Sequence, residues 1–321
     1  MADFGGIRVF ALGGSREYGE RVSRHLEIAL SPVEERPFED GEHKTRPLVT
    51  VRNHDVYAIQ SLYADNAENV NDKLCKLLFF IGALKDASAN RVTAVVPYLA
   101  YARKDQKTQL RDPVTTKYVA AMFEAVGTDK LMTMDVHNLA AMQNAFRKPT
   151  EHLVALDLIA ETLSPLLRGH DVAVVSPDIG GAKRAARLRT ILAKASGREP
   201  TVAFVEKQRG GGLVTGGLLV GDVKDRAAVI IDDLIGSGTT VRLAAQACKQ
   251  SGARRTVVAA THGLFIGKAA AVVEDPAIEK VLVTDTVPPF RLSGDLVDRK
   301  LIVLDSARLF ADAIYRNHAD D

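Results

Sequence analysis

An apolar run, Ala227–Ile231, ends in two adjacent carboxylates, Asp232 and Asp233, and leads into a loop of small residues, Gly236-Ser237-Gly238-Thr239-Thr240. The run reads as a buried parallel strand. Val241–Gln250 reads as a helix stopped at Gly252. Ligands of an open α/β sheet bind at such a junction, outside the carboxyl end of a strand. Backbone N–H groups and hydroxyls at a helix N-terminus hold a phosphate dianion. Carboxylates repel a phosphate, but they accept hydrogen bonds from a vicinal diol or face a hydrated Mg2+. The string therefore suits a ribose held through its diol and its 5-phosphate.

Five other segments fall at predicted strand ends. Arg36-Pro37-Phe38-Glu39-Asp40-Gly41-Glu42 offers an aromatic ring, a tolerant platform for a purine. Pro97-Tyr98-Leu99-Ala100-Tyr101-Ala102-Arg103-Lys104-Asp105-Gln106-Lys107 is a cationic loop suited to a triphosphate, which Arg103 can grip bidentately. Met134-Asp135-Val136-His137 delivers a histidine from a strand. In Ser176-Pro177-Asp178-Ile179-Gly180-Gly181-Ala182-Lys183-Arg184 an acid able to bind Mg2+ precedes two glycines that let the backbone approach an anion. Glu206-Lys207-Gln208-Arg209-Gly210-Gly211-Gly212, running on to Gly216-Gly217, has the composition of a lid. If a strand continues through Arg209, its alternation points Lys207 and Arg209 the same way. Taken singly, these segments also fit a turn with a buried Phe, a solvated basic loop, a structural histidine, a capped helix start and a surface hairpin.

The elements that must position them alternate along the chain. Strands are predicted at Ile7–Leu12, Val56–Gln60, Arg91–Pro97, Leu131–Val136, Asp171–Ser176, Val202–Glu206, Ala227–Ile231, Thr256–Thr261, Val281–Thr284 and Leu301–Leu304. Helices are predicted at Arg16–Leu26, Asn71–Ala87, Asp112–Val126 with Pro113 in the first turn, Gly181–Leu192 and Ser306–Asn317, and 144–155 reads as a looser segment. This βαβα rhythm argues for parallel sheets covered by helices. The halves look alike, which makes an internal duplication plausible, with a boundary near Leu153–Leu158. The 321 residues suggest two domains, and 46% apolar with 26% charged residues suits a globular protein. A net charge of +2 gives no reason to invoke nucleic acid or an anionic membrane. The two cysteines, Cys75 and Cys248, sit in helical patterns and read as buried thiols in a reducing compartment. No basic-then-apolar leader and no apolar run of the ~18 residues that span a bilayer is present, so the cytoplasm is expected.

In order, these segments resemble the ribose-phosphate pyrophosphokinase family from about Arg8 to Asn317. The resemblance implies an α/β protein of two tandem type I phosphoribosyltransferase-like domains, each a mostly parallel sheet flanked by helices. They would span 1–155 and 156–321, with the final helix packing on the N-terminal domain. It implies transfer of the diphosphoryl group of Mg-ATP to the 1-hydroxyl of ribose 5-phosphate, with Mg2+ as cofactor. Phe38, Asp40 and Glu42 would seat the adenine, and Arg103, Lys104 and His137 would contact the rest of ATP. His137 and Asp178 would meet the metal. Asp232, Asp233, Gly236, Ser237, Gly238, Thr239 and Thr240 would hold ribose 5-phosphate, and Lys207 and Arg209 would be the catalytic pair on a flexible loop. A homo-oligomer built from dimers, hexameric or tetrameric, would follow.

Several departures stand out. Lys104 replaces the family's glutamine. Gly236 stands where the family's sugar loop carries a third acid, and Thr239 where it carries a glycine. The chain also stops at His318-Ala319-Asp320-Asp321 without the family's usual tail, which with the atypical His43-Lys44-Thr45-Arg46-Pro47 leads to an expectation of weak or absent allosteric control by ADP. A phosphoribosyltransferase would share the sugar loop but needs neither the Phe38 segment nor the Lys207 lid. A silent regulatory partner would have lost that lid. A sugar-phosphate sensor would carry a DNA-binding appendage, and none is visible.

Overall fold

The computed structural model describes residues 6–210 and 213–319; the side chains of 207–217 lie outside that description. The chain divides into two compact units, Met1–Leu153 with Ser306–Asp321, and Val154–Asp305.

The first unit begins with β1 (Ile7–Ala11), α1 (Arg16–His25), the strands β2 (Val33–Pro37) and β3 (His43–Pro47), β4 (Asp55–Ile59) and α2 (Val70–Asp86). It continues through β5 (Arg91–Val96), α3 (Thr115–Ala125), β6 (Lys130–Met134), α4 (Leu139–Ala145) and β7 (Thr150–Leu153). Its five main strands are parallel in the order β1-β4-β5-β6-β7, and β2 and β3 form a separate antiparallel hairpin. β4 and β5 carry almost no polar surface because both faces are covered. One apolar cluster joins Phe10, Val56, Leu77, Phe80, Ile81, Val96 and Phe123.

The second unit runs through α5 (Leu156–Leu166), β8 (Val172–Ser176), α6 (Ala182–Ser196), β9 (Thr201–Gly210), β10 (Leu213–Val220), β11 (Ala227–Ile235), α7 (Thr239–Gln250), β12 (Arg255–Gly263), α8 (Ala269–Val273), β13 (Lys280–Thr284), α9 (Gly294–Lys300) and β14 (Leu301–Leu304). Its strands are ordered β10-β9-β8-β11-β12-β13-β14, all parallel except the β9–β10 pair. The central order β8-β11-β12-β13-β14 repeats the first unit's β1-β4-β5-β6-β7, and in each unit an antiparallel pair is inserted after the first helix that follows the leading strand. The last helix, α10 (Ala307–Ala319), belongs to the first unit, where Tyr18 and Ser306 hydroxyls meet at 2.9 Å and the Tyr18 and Phe310 rings pack edge to face.

Several expectations need correction. The loose segment 144–155 contains the end of α4 and the strand β7, whose polar, half-buried residues Thr150–Leu153 gave no apolar signal. Pro113 is not in the first turn of α3. The Asp112 carboxylate accepts the Thr108 and Gln109 N–H groups, each at 3.0 Å, which holds 108–112 in a turn and delays the helix to Thr115. β11 does not stop at Ile231. β12 is long enough to pair with it as far as Ile235, so Asp232 and Asp233 lie within the strand. Cys248 is buried, and desolvation pushes its thiol up to about 12. Cys75 is exposed, because its place in the α2 register falls on the outer face, and both thiols are free. No helix among the described residues is long and apolar enough to cross a membrane.

Candidate active site

In the second unit the candidate residues gather at the carboxyl ends of β8 and β11, as the topology of an open sheet requires. Asp232 and Asp233 are successive strand residues, yet the Arg184 guanidinium reaches both, at 3.3 Å from Asp232 Oδ1 and 3.7 Å from Asp233 Oδ1. Arg184 comes from the first turn of α6. Burial, reinforced by the neighbouring Asp233 carboxylate, pushes Asp232 up to about 8 despite the opposing guanidinium. The pair thus favours holding a proton until hydroxyl donors or a further cation approach. Sequence reasoning assigned Arg184 no role. Its signal was present, a cation six residues beyond Asp178, but only the packing of α6 beside β11 aims it.

The loop after β11 is shaped by its backbone. Gly238 caps α7 with φ +75°, and a Cβ there would lie 2.9 Å from Val272 Cγ1. Only glycine takes that conformation at that distance without strain. α7 begins at Thr239, so Thr239 and Thr240 form its first turn, and no side chain caps it. Ser237 and Thr239 are exposed and exchange one hydroxyl contact at 3.1 Å. The result is a row of N–H groups and hydroxyls at a twelve-residue helix N-terminus, suited to a phosphate. Gly236 lies beside Leu234 Cδ1 at 3.7 Å and is not crowded.

Asp178 caps the short 3-10 turn Ile179–Gly181, accepting the Gly181 N–H at 3.2 Å. Lys207 and Arg209 fall on β9, in register with Gly217 and Val214 of β10, but their side chains lie outside the described residues. His262 is buried, with Nδ1 2.8 Å from Thr286 Oγ1, while Thr284 donates to the Thr261 carbonyl at 2.7 Å.

In the first unit Phe38 lies at the tip of the β2–β3 hairpin, 43% exposed, with the Arg36 guanidinium 5.4 Å from its ring centroid. The Phe38 N–H donates to the Glu42 carbonyl at 2.8 Å, and Asp40 accepts the Glu42 N–H at 3.1 Å. Asp40 therefore shapes the turn that presents Phe38. Arg103 is exposed. Lys104 is not an idle charge: its ammonium sits 2.5 Å from Asp112 Oδ2 and 3.0 Å from Thr108 Oγ1. Hydrogen bonds from Lys104 and Thr108 hold the Asp112 carboxyl well below the ordinary range. His137 follows β6 after Asp135, whose φ of +38° bends the chain. Its Nδ1 is 3.2 Å from Asp105 Oδ2, with the Asp105 side chain 4% exposed and the imidazole 47% exposed. Sequence reasoning passed over Asp105, which orients the ring. Among the described residues no group of three or more His, Cys, Asp or Glu forms a metal cage.

Known proteins match nearly the full length of the chain. Residues 7–127 match the profile described as the N-terminal domain of ribose phosphate pyrophosphokinase, and 215–321 that of a phosphoribosyl synthetase-associated domain. Ribose-phosphate pyrophosphokinase 2 of Enterococcus faecalis is 36% identical over 97% of this chain and 93% of its own length. Ribose-phosphate pyrophosphokinase 1 of Streptococcus agalactiae is 35% identical over 98% of this chain and 95% of its own. The crystal structure of phosphoribosylpyrophosphate synthetase from Mycobacterium smegmatis superposes with a TM-score of 0.89 at 30% identity, covering 98% of this chain and all of that one.

Proposed function

The chain belongs to the ribose-phosphate pyrophosphokinase family, and on that premise we propose that it transfers the β,γ-diphosphoryl group of Mg-ATP to the 1-hydroxyl of ribose 5-phosphate, giving 5-phosphoribosyl 1-diphosphate and AMP. The observation that best supports this reading is the Asp232–Asp233 pair, tethered by Arg184 beside an uncapped helix N-terminus. A ribose diol donates hydrogen bonds that an ionised carboxylate pair accepts, and Arg184 offsets the second negative charge. The N–H groups and hydroxyls from Gly236 to Thr240 take the 5-phosphate.

For the donor, Phe38 stacks on the adenine, with Asp40 and Glu42 beside it, and Arg103 grips the triphosphate. Lys104 reaches a phosphate only by exchanging its Asp112 partner, which makes its contribution small. Lys207 and Arg209 neutralise the charge that develops as the β-phosphorus is attacked and AMP leaves. Mg2+ takes oxygen ligands, and in the second unit Asp178 supplies a carboxylate beside a glycine turn that would hold it; in the first unit the His137 Nδ1 is held by a buried acid, which orients the imidazole. When bound, the metal would offset the charge of the phosphate oxygens. A dimer-based homo-oligomer and a cytoplasmic setting belong to the same proposal, and the two free cysteines agree with the latter.

Product analysis with ATP, Mg2+ and ribose 5-phosphate tests it. AMP with 5-phosphoribosyl 1-diphosphate is expected; ADP as product, or no turnover, refutes it. Lys207→Ala should lose most of kcat with a smaller change in KM, because its contact strengthens in the transition state.

A further inference from the structure

The β2–β3 hairpin that presents Phe38 is held to the body of the first unit by a charge clamp outside the residues assigned above. Glu35, on β2, turns its carboxylate to the loop after β1, where the Gly13 N–H donates to both oxygens at 2.9 and 3.1 Å. Lys76, on α2, completes the grip with its ammonium 3.0 Å from Glu35 Oε2, and it also pairs with Glu68. The Lys76 side chain is 10% exposed and that of Glu35 25%. Burial acts to lower the Lys76 pKa, but hydrogen bonds to Glu68 and Glu35 outweigh it and keep the ammonium charged. The loop is built around these carboxylates: Gly13 has φ +47°, and a Cβ there would lie 2.9 Å from Glu68 Oε2.

The clamp has a specific mechanical consequence. Phe38 lies three residues beyond Glu35. Past the clamp, His43 stacks on Phe79 at 5.6 Å between ring centroids, and β3 packs along α2, so the clamp and this packing together set the hairpin's direction. The tip itself is exposed. A two-stranded hairpin is marginal on its own, so its direction must be set where it meets the body.

We propose that Glu35 is a positioning residue for the nucleotide: its carboxylate, shared by the Gly13 N–H and Lys76, fixes the hairpin and so holds Phe38 in the orientation that stacks on adenine. This rests on the reading of Phe38 as the adenine platform. A platform free to swing must be ordered when ATP binds, which weakens binding without altering the chemical step.

The chain has no tryptophan, so Phe38→Trp supplies a single fluorophore at the hairpin tip. In that background Glu35→Ala should lower the steady-state anisotropy of the tryptophan and weaken ATP binding, read by quenching, ~10-fold. The KM for ribose 5-phosphate should stay within ~2-fold, since the clamp acts only on the hairpin. Acetate, which replaces the deleted carboxylate between Gly13 and Lys76, should restore part of both signals. Glu35→Gln keeps an acceptor for Gly13 but loses the ion pair, and it should fall between; it carries the test if the alanine variant does not fold. Unchanged anisotropy, unchanged ATP affinity, or equal losses for ATP and ribose 5-phosphate would overturn the proposal. If ATP fails to quench the introduced tryptophan while Glu35 is intact, the adenine reading itself has failed, a result distinct from a clamp without effect.

Discussion

Two glycines of one loop should respond oppositely to the same added methyl group. At Gly238 an alanine must adopt φ +75° and place its Cβ 2.9 Å from Val272 Cγ1 and 3.1 Å from Val272 Cβ. The left-handed conformation costs ~1–2 kcal/mol, and forcing a methyl into a packed contact adds ~1–3 kcal/mol. The sum, about 2–5 kcal/mol, converts at ~2–4 °C per kcal/mol for a unit of this size into a drop of ~4–20 °C in Tm. Gly236 has no such constraint: the nearest atom to its added Cβ is Leu234 Cδ1 at 3.7 Å, an ordinary contact. Gly236→Ala should therefore stay within ~0.5 kcal/mol of the parent. The assay is calorimetry of both variants beside the parent, following the transition of the second unit. A Gly238→Ala protein melting within about 2 °C of the parent, the smallest difference worth interpreting, would refute the geometry. So would a Gly236→Ala protein that falls as far. The same reasoning makes Gly236→Asp sterically admissible, so restoring an acid at this position is a direct test of what its loss does to the affinity for ribose 5-phosphate.

The Asp232–Asp233 pair makes a pH prediction. Because Asp232 is raised to about 8 in the folded protein, the native state retains a proton that the unfolded chain releases near pH ~4; this contribution to stability is present at low pH and lost as pH rises through about 8. Asp232→Asn removes the repulsion, so its Tm advantage over the parent should grow between about pH 5 and pH 8, whereas a constant difference would contradict the assignment. Asp55 makes the opposite case: burial alone would raise its pKa, but hydrogen bonds from Arg91, His318 and Tyr57 outweigh it, so its contribution is lost only as acid is added. Asp55→Ala leaves Arg91 without its bidentate partner at 2.6 and 2.9 Å and should cost ~3 kcal/mol in the melting of the first unit; a loss below ~1 kcal/mol would show that the pair is not stabilising. Asp112→Asn loses the ion pair to Lys104, and trypsin should then cut faster after Lys104, Lys107 or Arg111; an unchanged cleavage rate would mean the turn at 108–112 stands without it.

How much of this was legible before any fold was known varied with the signal. Apolar runs such as Ala227–Ile231 and Arg91–Val96 announced buried parallel strands because both of their faces are covered. Val33–Pro37 and Thr150–Leu153 did not, because half-buried polar strands carry neither a continuous apolar run nor a clean alternation. The Gly236–Thr240 loop, Asp178 and Phe38 stood out in the sequence because short-range chemistry, an acid beside glycines or an aromatic beside a turn, is written in consecutive residues.

By itself, then, the chain determined its alternation of strands and helices, the family it belongs to, and the places where strands end in phosphate-friendly loops. These depend on local pattern and on residues adjacent in sequence. Only the tertiary structure decided that Arg184 spans two carboxylates 48 and 49 positions away, that Lys104 is already paired with Asp112, that Asp105 orients His137, and that Glu35 closes on Gly13 and Lys76. Each of those contacts depends on how loops turn and how helices pack beside strands, and that choice of partner is encoded in no single stretch of sequence.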